Sequence, residues 1–138
     1  MECIRLPEEA YLRIVRHAIG AAPMEAVGLV GKAANGRGVM VIELPNLGGP
    51  DEFLADPFAQ YQAERRLARE GFDVLAIYHS HPGGGTGISE TDRNFGKRWN
   101  CAHIVVVPDR FPDNPDHLRA WRISDYGVAE ISVVREGR

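Results

Sequence analysis

The sequence predicts an α/β domain, a mixed β-sheet flanked by helices, and three observations carry that reading. Segments of helical and strand period alternate along the chain in the order β-α-β-β-α-β-α-β-β-β. Val74 to Tyr78 is a continuous apolar run with the pattern of a strand buried on both faces, and Ala102 to Val107 reads as another buried strand. Two turn signals, Asn35-Gly36 and Ser124-Asp125-Tyr126-Gly127, sit between strand-like segments and mark hairpins.

The elements follow in order. Cys3 to Leu6 is a short apolar stretch. Pro7 opens a helix at N1, with Glu8 and Glu9 suited to the positive end of its dipole. Leu12, Val15 and Ile19, with Tyr11, Ile14 and Ala18 beside them, recur at helical spacing until Gly20 to Pro23 ends the helix. Ala26 to Val30 and Val39 to Leu44 read as strands, and Pro45 to Pro50 as an exposed loop. A second helix runs from Asp56 or Pro57 to Glu70, with Asp56 as N-cap, Gly71 at C′, and Phe58, Tyr61 and Leu67 among its apolar positions. After the Val74 strand come a glycine-rich loop, Ser80 to Ile88, and a short helix, Ser89 to Trp99. Pro108 to Asp116 holds three prolines and is read as irregular. His117 to Ile123 and Val128 to Val134 form the closing hairpin.

Composition narrows the function. The 138 residues fit one domain, 1–138, with no internal repeat and no linker. A net charge of −3, with the basic residues scattered, argues against nucleic acid as a partner. No apolar run has the length of a membrane span, and the N-terminus does not read as a secretory leader. The two cysteines, Cys3 and Cys101, fit a reducing compartment, so the cytoplasm is the expected location.

The chemistry concentrates in His79-Ser80-His81-Pro82, the loop Gly83 to Ile88, and Ser89-Glu90-Thr91-Asp92. His79 and His81 stand two apart at the mouth of a strand, so their imidazoles project to one side. Pro82 stiffens the exit, and the glycines let the chain turn back without a side-chain clash. Asp92 returns in the first turn of the next helix. Two neutral imidazoles and a carboxylate, with a fourth position open, are the ligand set of a catalytic zinc site. Each piece also has a plain reading: a surface histidine, a surface loop, a capping box with Asp92 at N3. Their joint occurrence favours the metal.

This segment resembles the JAMM (MPN+, Mov34/PAD-1) metallopeptidase motif, His-x-His-Pro, six residues, Ser-x-x-Asp, which His79 to Asp92 matches without a gap. Pro23-Met24-Glu25-Ala26-Val27-Gly28-Leu29 is similar to the family's upstream glutamate segment. The resemblance implies a cytidine-deaminase-like layout and one Zn2+ per chain held by His79, His81 and Asp92. It implies that Glu25 takes the proton of the attacking water and passes it to the leaving amine, and that Ser89 donates to the oxyanion. Ser80 and Pro82 shape the site.

The family hydrolyses amide bonds after the C-terminal Gly-Gly tail of ubiquitin-like proteins. The short chain resembles the small stand-alone prokaryotic type, which processes ubiquitin-fold sulfur carrier proteins. The implied partner is such a carrier, its tail running past Gly84 and Gly85, with Leu47 to Asp56 and Gly83 to Ile88 as walls of the slot. The resemblance leaves three bonds open: to a C-terminal extension, to a cysteine, or to a lysine. An isopeptidase acting on lysine conjugates and a non-catalytic MPN scaffold are the alternatives. A zinc deaminase would need His-x-Glu and Pro-Cys-x-x-Cys, which the sequence lacks. Of the remaining candidates, Cys101 and His103 read as packing rather than a second metal site, and His17 as part of a solvated face. His117 reads as exposed, and Trp99 and Trp121 as core rather than groove. Exposed strand edges leave a dimer open.

Overall fold

The structure is a computed structural model, and it describes residues 3–48, 54–84 and 101–137. Seven strands form one sheet: β1 (Cys3–Pro7), β2 (Val27–Ala33), β3 (Val39–Leu44), β4 (Phe72–Ser80), β5 (Ala102–Val106), β6 (Leu118–Ser124) and β7 (Gly127–Glu136). Their order is β1-β7-β6-β5-β4-β2-β3. The pairs β1–β7 and β4–β5 are parallel and the other four antiparallel, so the sheet is mixed as the sequence predicts. The helix expected at Ser89 to Trp99 lies outside the described residues. Among the described residues no helix is long and apolar enough to cross a membrane.

Helix α1 (Glu8–Ala21) and helix α2 (Pro57–Arg69) serve two different apolar clusters. The first gathers Tyr11, Ile14, Val15 and Ala18 of α1 with Val30, Ala76, Tyr78, Ile104 and Val106 of the strands. The second gathers Ala63 and Leu67 of α2 with Val27, Leu29 and Ile77. Alternate residues of β4 thus divide between them, Ala76 and Tyr78 to the α1 side and Ile77 to the α2 side. Gly31 lets α2 come close: a Cβ there would stand 2.5 Å from a Leu67 methyl.

Several local expectations are corrected. Pro7 is the last residue of β1 and the N-cap of α1, one position before N1. Helix α1 runs through Gly20 to Ala21. Its buried line is Ala10, Tyr11, Ile14, Val15 and Ala18, and Ile19 is 49% exposed, because the stripe facing the sheet is centred on Ile14 and Ala18. In α2, Ala63 and Leu67 make the buried i, i+4 pair, and Phe58 and Tyr61 lie off that line and are exposed. Asp56 caps α2 by accepting from the N–H groups of Phe58 and Ala59, and Gly71 follows the helix at φ +80°, as read. The 108–117 segment contains two short 3-10 turns, Pro108–Arg110 and Pro115–His117, each begun by a proline.

Candidate metal centre

Strand β4 extends to Ser80, so His79 sits inside the strand rather than at its mouth, and His81 follows directly. Val27 pairs with His79 across β2 and β4. Continuing the alternation outward from the Val27–His79 pair puts Glu25, His79 and His81 on the α2 side of the sheet. Their ligand atoms all lie within 4.8 Å of one another. The Nε2 atoms of His79 and His81 stand 3.0 Å apart. Two ligands about 2.0–2.1 Å from a tetrahedral zinc would be separated by about 3.3 Å, so the two rings fit one shared cation. His79 is fully buried and Glu25 is 6% exposed, while His81 is partly open.

The chain around these residues is fixed from several directions. The N–H of His81 donates to Val106 O at 2.8 Å, tying the exit of β4 to the end of β5. His81-Pro82-Gly83-Gly84 closes a turn through Gly84 N–H to His81 O at 3.0 Å, with Gly83 at φ +71°. Proline second and a left-handed glycine third is the type II signature. Asp109 then accepts the Gly83 N–H at 3.1 Å. Ser80 Oγ accepts from the Ala26 N–H at 2.7 Å, and the Ser80 N–H donates to Ala26 O at 3.0 Å. Those two bonds link the residue after Glu25 to the residue between the histidines, in keeping with a shaping role for Ser80.

Of the residues the sequence singles out, Glu25, His79, His81 and Gly84 are placed together here. Ser89, Asp92 and Gly85 lie outside the described residues, as does Trp99. Gly84 sits against His81: a Cβ on it would be 3.0 Å from His81 Cβ. Cys101 and His103 are buried, and burial pushes the Cys101 thiol up to about 11, which suits packing rather than a thiolate ligand. Trp121 is only half-buried, with the Arg119 guanidinium 4.6 Å above its ring, which corrects its reading as core.

Two histidine expectations are corrected. His117 is buried, not exposed: Tyr11 Oη lies 2.6 Å from its Nε2, and its Nδ1 donates to Asn114 O at 2.8 Å. His17 is not on a solvated face, because its Nδ1 reaches the Tyr78 hydroxyl at 2.7 Å. Both rings close polar pairs between α1 and the sheet or its loops, which the local charge of their neighbours does not reveal. Sequence reasoning also missed Asn46 and Asp109, whose side chains hold backbone of the site. A Pro-Asn pair just after a strand, Pro45-Asn46, is the signal available for the first.

Comparison with known proteins bears on the family and the fold. The family model "Prokaryotic homologs of the JAB domain" (Prok-JAB) matches residues 7–124. A Thermus thermophilus protein described as "Probable TtuB-protein conjugate cleaving protease" is 40% identical over 67% of this chain and 62% of its own length. The "Ubiquitin carboxyl-terminal hydrolase RPN11" of Saccharomyces cerevisiae is 30% identical over 92% of this chain and 45% of its own. The chain thus spans less than two-thirds of the length of either relative. The "Desampylase" of Pyrococcus furiosus is 27% identical over 91% of this chain and 86% of its own. Among solved structures, protein DSY2949 of Desulfitobacterium hafniense superposes with a TM-score of 0.84 at 27% identity, covering 98% of this chain and 94% of that one. AF2198, a JAB1/MPN domain protein of Archaeoglobus fulgidus, shares the fold, with a TM-score of 0.60 at 22% identity over 97% of this chain and 99% of that one.

Proposed function

The chain belongs to the family of prokaryotic JAB-domain homologues, within the JAMM/MPN group, and from that premise we propose that it is a zinc-dependent peptidase. In this reading it cuts the amide bond after the C-terminal Gly-Gly tail of a ubiquitin-like protein of the sulfur carrier type. The observation that supports it most is the convergence of Glu25, His79 and His81 on one point. The donor set of two imidazole nitrogens and nearby carboxylate oxygen suits zinc.

His79 and His81 would hold the metal, with Asp92 as the third ligand. Zinc bound there would supply Lewis acidity, polarising the scissile carbonyl and lowering the pKa of water. Glu25 acts as general base, taking a proton from the attacking water and giving it to the leaving amine. Its burial keeps bulk water from competing for that proton. Ser89 donates to the oxyanion. Gly84, beside His81, and Gly85 contact the substrate's glycine tail. Residues 1–138 work as one domain, and the unpaired thiols of Cys3 and Cys101 suit a reducing cytoplasm.

A second reading at the same site is cleavage of a carrier joined to other proteins through lysine. It is favoured by the description of the Thermus thermophilus relative as cleaving protein conjugates. One experiment tests both: metal content of the purified protein, then hydrolysis with and without chelator. The substrates are a Gly-Gly carrier bearing one added C-terminal residue and the same carrier linked to a lysine side chain. The peptidase reading expects about one zinc per chain and chelator-sensitive release of the intact Gly-Gly carrier. Cleavage of the lysine-linked substrate alone selects the second reading. Zinc loading without cleavage of either overturns both.

A further inference from the structure

We propose that Asn46 is a positioning residue for Glu25, holding the base through its own backbone. The inference deepens the hydrolase reading and rests on it. The peptide unit between Glu25 and Ala26 has two polar atoms, and a side chain from elsewhere in the chain holds each. Asn46 Nδ2 donates to the Glu25 carbonyl at 2.9 Å. The Ala26 N–H donates to Ser80 Oγ at 2.7 Å. A peptide is planar and stiff, so fixing both ends fixes the orientation of the plane. That plane adjoins the Glu25 Cα and sets the direction in which its side chain leaves the backbone.

The other end of the Asn46 amide has a different task. Its Oδ1 accepts from the Gly48 N–H at 2.8 Å and from the Leu54 N–H at 2.7 Å. Two N–H donors at one end and a carbonyl at the other fix which end is oxygen. The base of the loop is closed further by Leu47 N–H to Leu54 O at 2.7 Å and Asp56 N–H to Pro45 O at 3.1 Å. Asn46 therefore joins the loop leaving β3 to the backbone of the general base. Ser80 ties that same backbone to the segment carrying both histidines, so base and metal ligands share one frame.

The two tasks separate by mutation. Asn46→Asp keeps an oxygen for Gly48 and Leu54 but puts a carboxylate oxygen, with no proton to give, against the Glu25 carbonyl. Asn46→Ala loses both tasks. Displacement of a catalytic group by about 1 Å can cost about a hundredfold in rate. In the zinc-loaded full chain, Asn46→Asp is expected to lower kcat by about tenfold or more, with KM and zinc content within about twofold of wild type. Amide hydrogen exchange, read without substrate, is expected to quicken at Ala26 and stay slow at Gly48 and Leu54. Asn46→Ala is expected to quicken all three.

A folded Asn46→Asp protein with wild-type kcat, or with unchanged exchange at Ala26, overturns the proposal. Parallel changes in kcat, KM and zinc content also overturn it, since they indicate a general structural loss. If Asn46→Asp does not fold, Asn46→Ser, whose hydroxyl is too short for the Glu25 carbonyl and for Leu54 but can accept from Gly48 two residues on, carries the comparison with Gly48 as the position expected to stay slow. If wild type cleaves no carrier, the hydrolase reading fails by itself, and exchange at Ala26 still decides whether Asn46 holds the Glu25 backbone.

Discussion

His17 Nδ1 and the Tyr78 hydroxyl lie 2.7 Å apart in the α1 layer, on the far side of the sheet from the candidate metal centre. Tyr78 immediately precedes His79 in β4, so the strand that carries the first histidine is anchored from behind by α1. The Tyr78 ring is fully buried and crosses directly over Gly28, its partner in β2. Burial raises the Tyr78 pKa, so the hydroxyl stays protonated in this pair.

Gly28 is the residue this arrangement permits least freedom. A Cβ there would come within 2.3 Å of the Tyr78 ring, far inside contact distance. The ring is packed in the buried α1 cluster, so moving it disturbs its neighbours. Gly28→Ala is therefore expected to destabilise the fold by about 1–3 kcal/mol, the usual cost of overpacking a core. Urea denaturation measures it. An unchanged midpoint would mean the ring swings aside without penalty.

His17 gives the fold a pH dependence whose direction follows from its surroundings. Burial lowers its pKa from 6.5; Glu43 pulls it back up in part, and Arg13 pushes it further down. Below about pH 6.5 the unfolded chain binds a proton here that the folded chain still refuses. This group's contribution is thus fully present above the unfolded pKa. It is lost as pH falls from there to the lowered folded value. His17→Gln, which removes the titration but keeps a polar partner for Tyr78, should flatten that loss. The check is the change in melting temperature between about pH 7.5 and about pH 5.5 in both proteins. Equal slopes would assign the dependence to other groups.

The metal assignments make a sharper division. His79→Ala and His81→Ala are each expected to lose bound zinc, because each removes one of the nitrogens that face each other at 3.0 Å. Glu25→Gln preserves shape and is expected to retain zinc while losing most activity, since the amide cannot take a proton. Elemental analysis beside the hydrolysis assay reads both. Zinc loss in Glu25→Gln would reassign Glu25 from base to ligand.

Much of this was legible in the residues themselves. The apolar residues around Ile77 and Ile104 marked two buried strands, and Asn35-Gly36 and Ser124-Asp125-Tyr126-Gly127 marked two hairpins, because those signals are local; that the two buried strands pair in parallel was not legible. Asp56 was legible as a cap for the same reason. The places of His17 and His117 were not. Each is settled by a hydroxyl far away in sequence, Tyr78 for one and Tyr11 for the other, and charged neighbours such as Arg13 and Arg16 disguised the first. Glu25 was found only through a motif, since nothing local sets it beside His79. Asn46 escaped because its bond to the Glu25 carbonyl, 21 residues away in sequence, forms only once β2 and β3 have paired.

Gly84 ties the substrate question to the metal question. The sequence marked it as a wall of the slot for a glycine tail, so a larger residue there should raise KM. The structure places a Cβ at this position 3.0 Å from His81 Cβ, tighter than ordinary side-chain packing. Gly84 also donates its N–H to His81 O, so it has little room to retreat without opening the turn. Gly84→Ala should therefore push on His81 first and weaken zinc binding, by about tenfold if it acts like other perturbations beside a ligand. Competition with a chelator measures the affinity, and kinetics at saturating zinc then measure KM. Weaker zinc binding with unchanged KM would show that Gly84 serves His81. A raised KM at full zinc occupancy would show that it also borders the path of the tail.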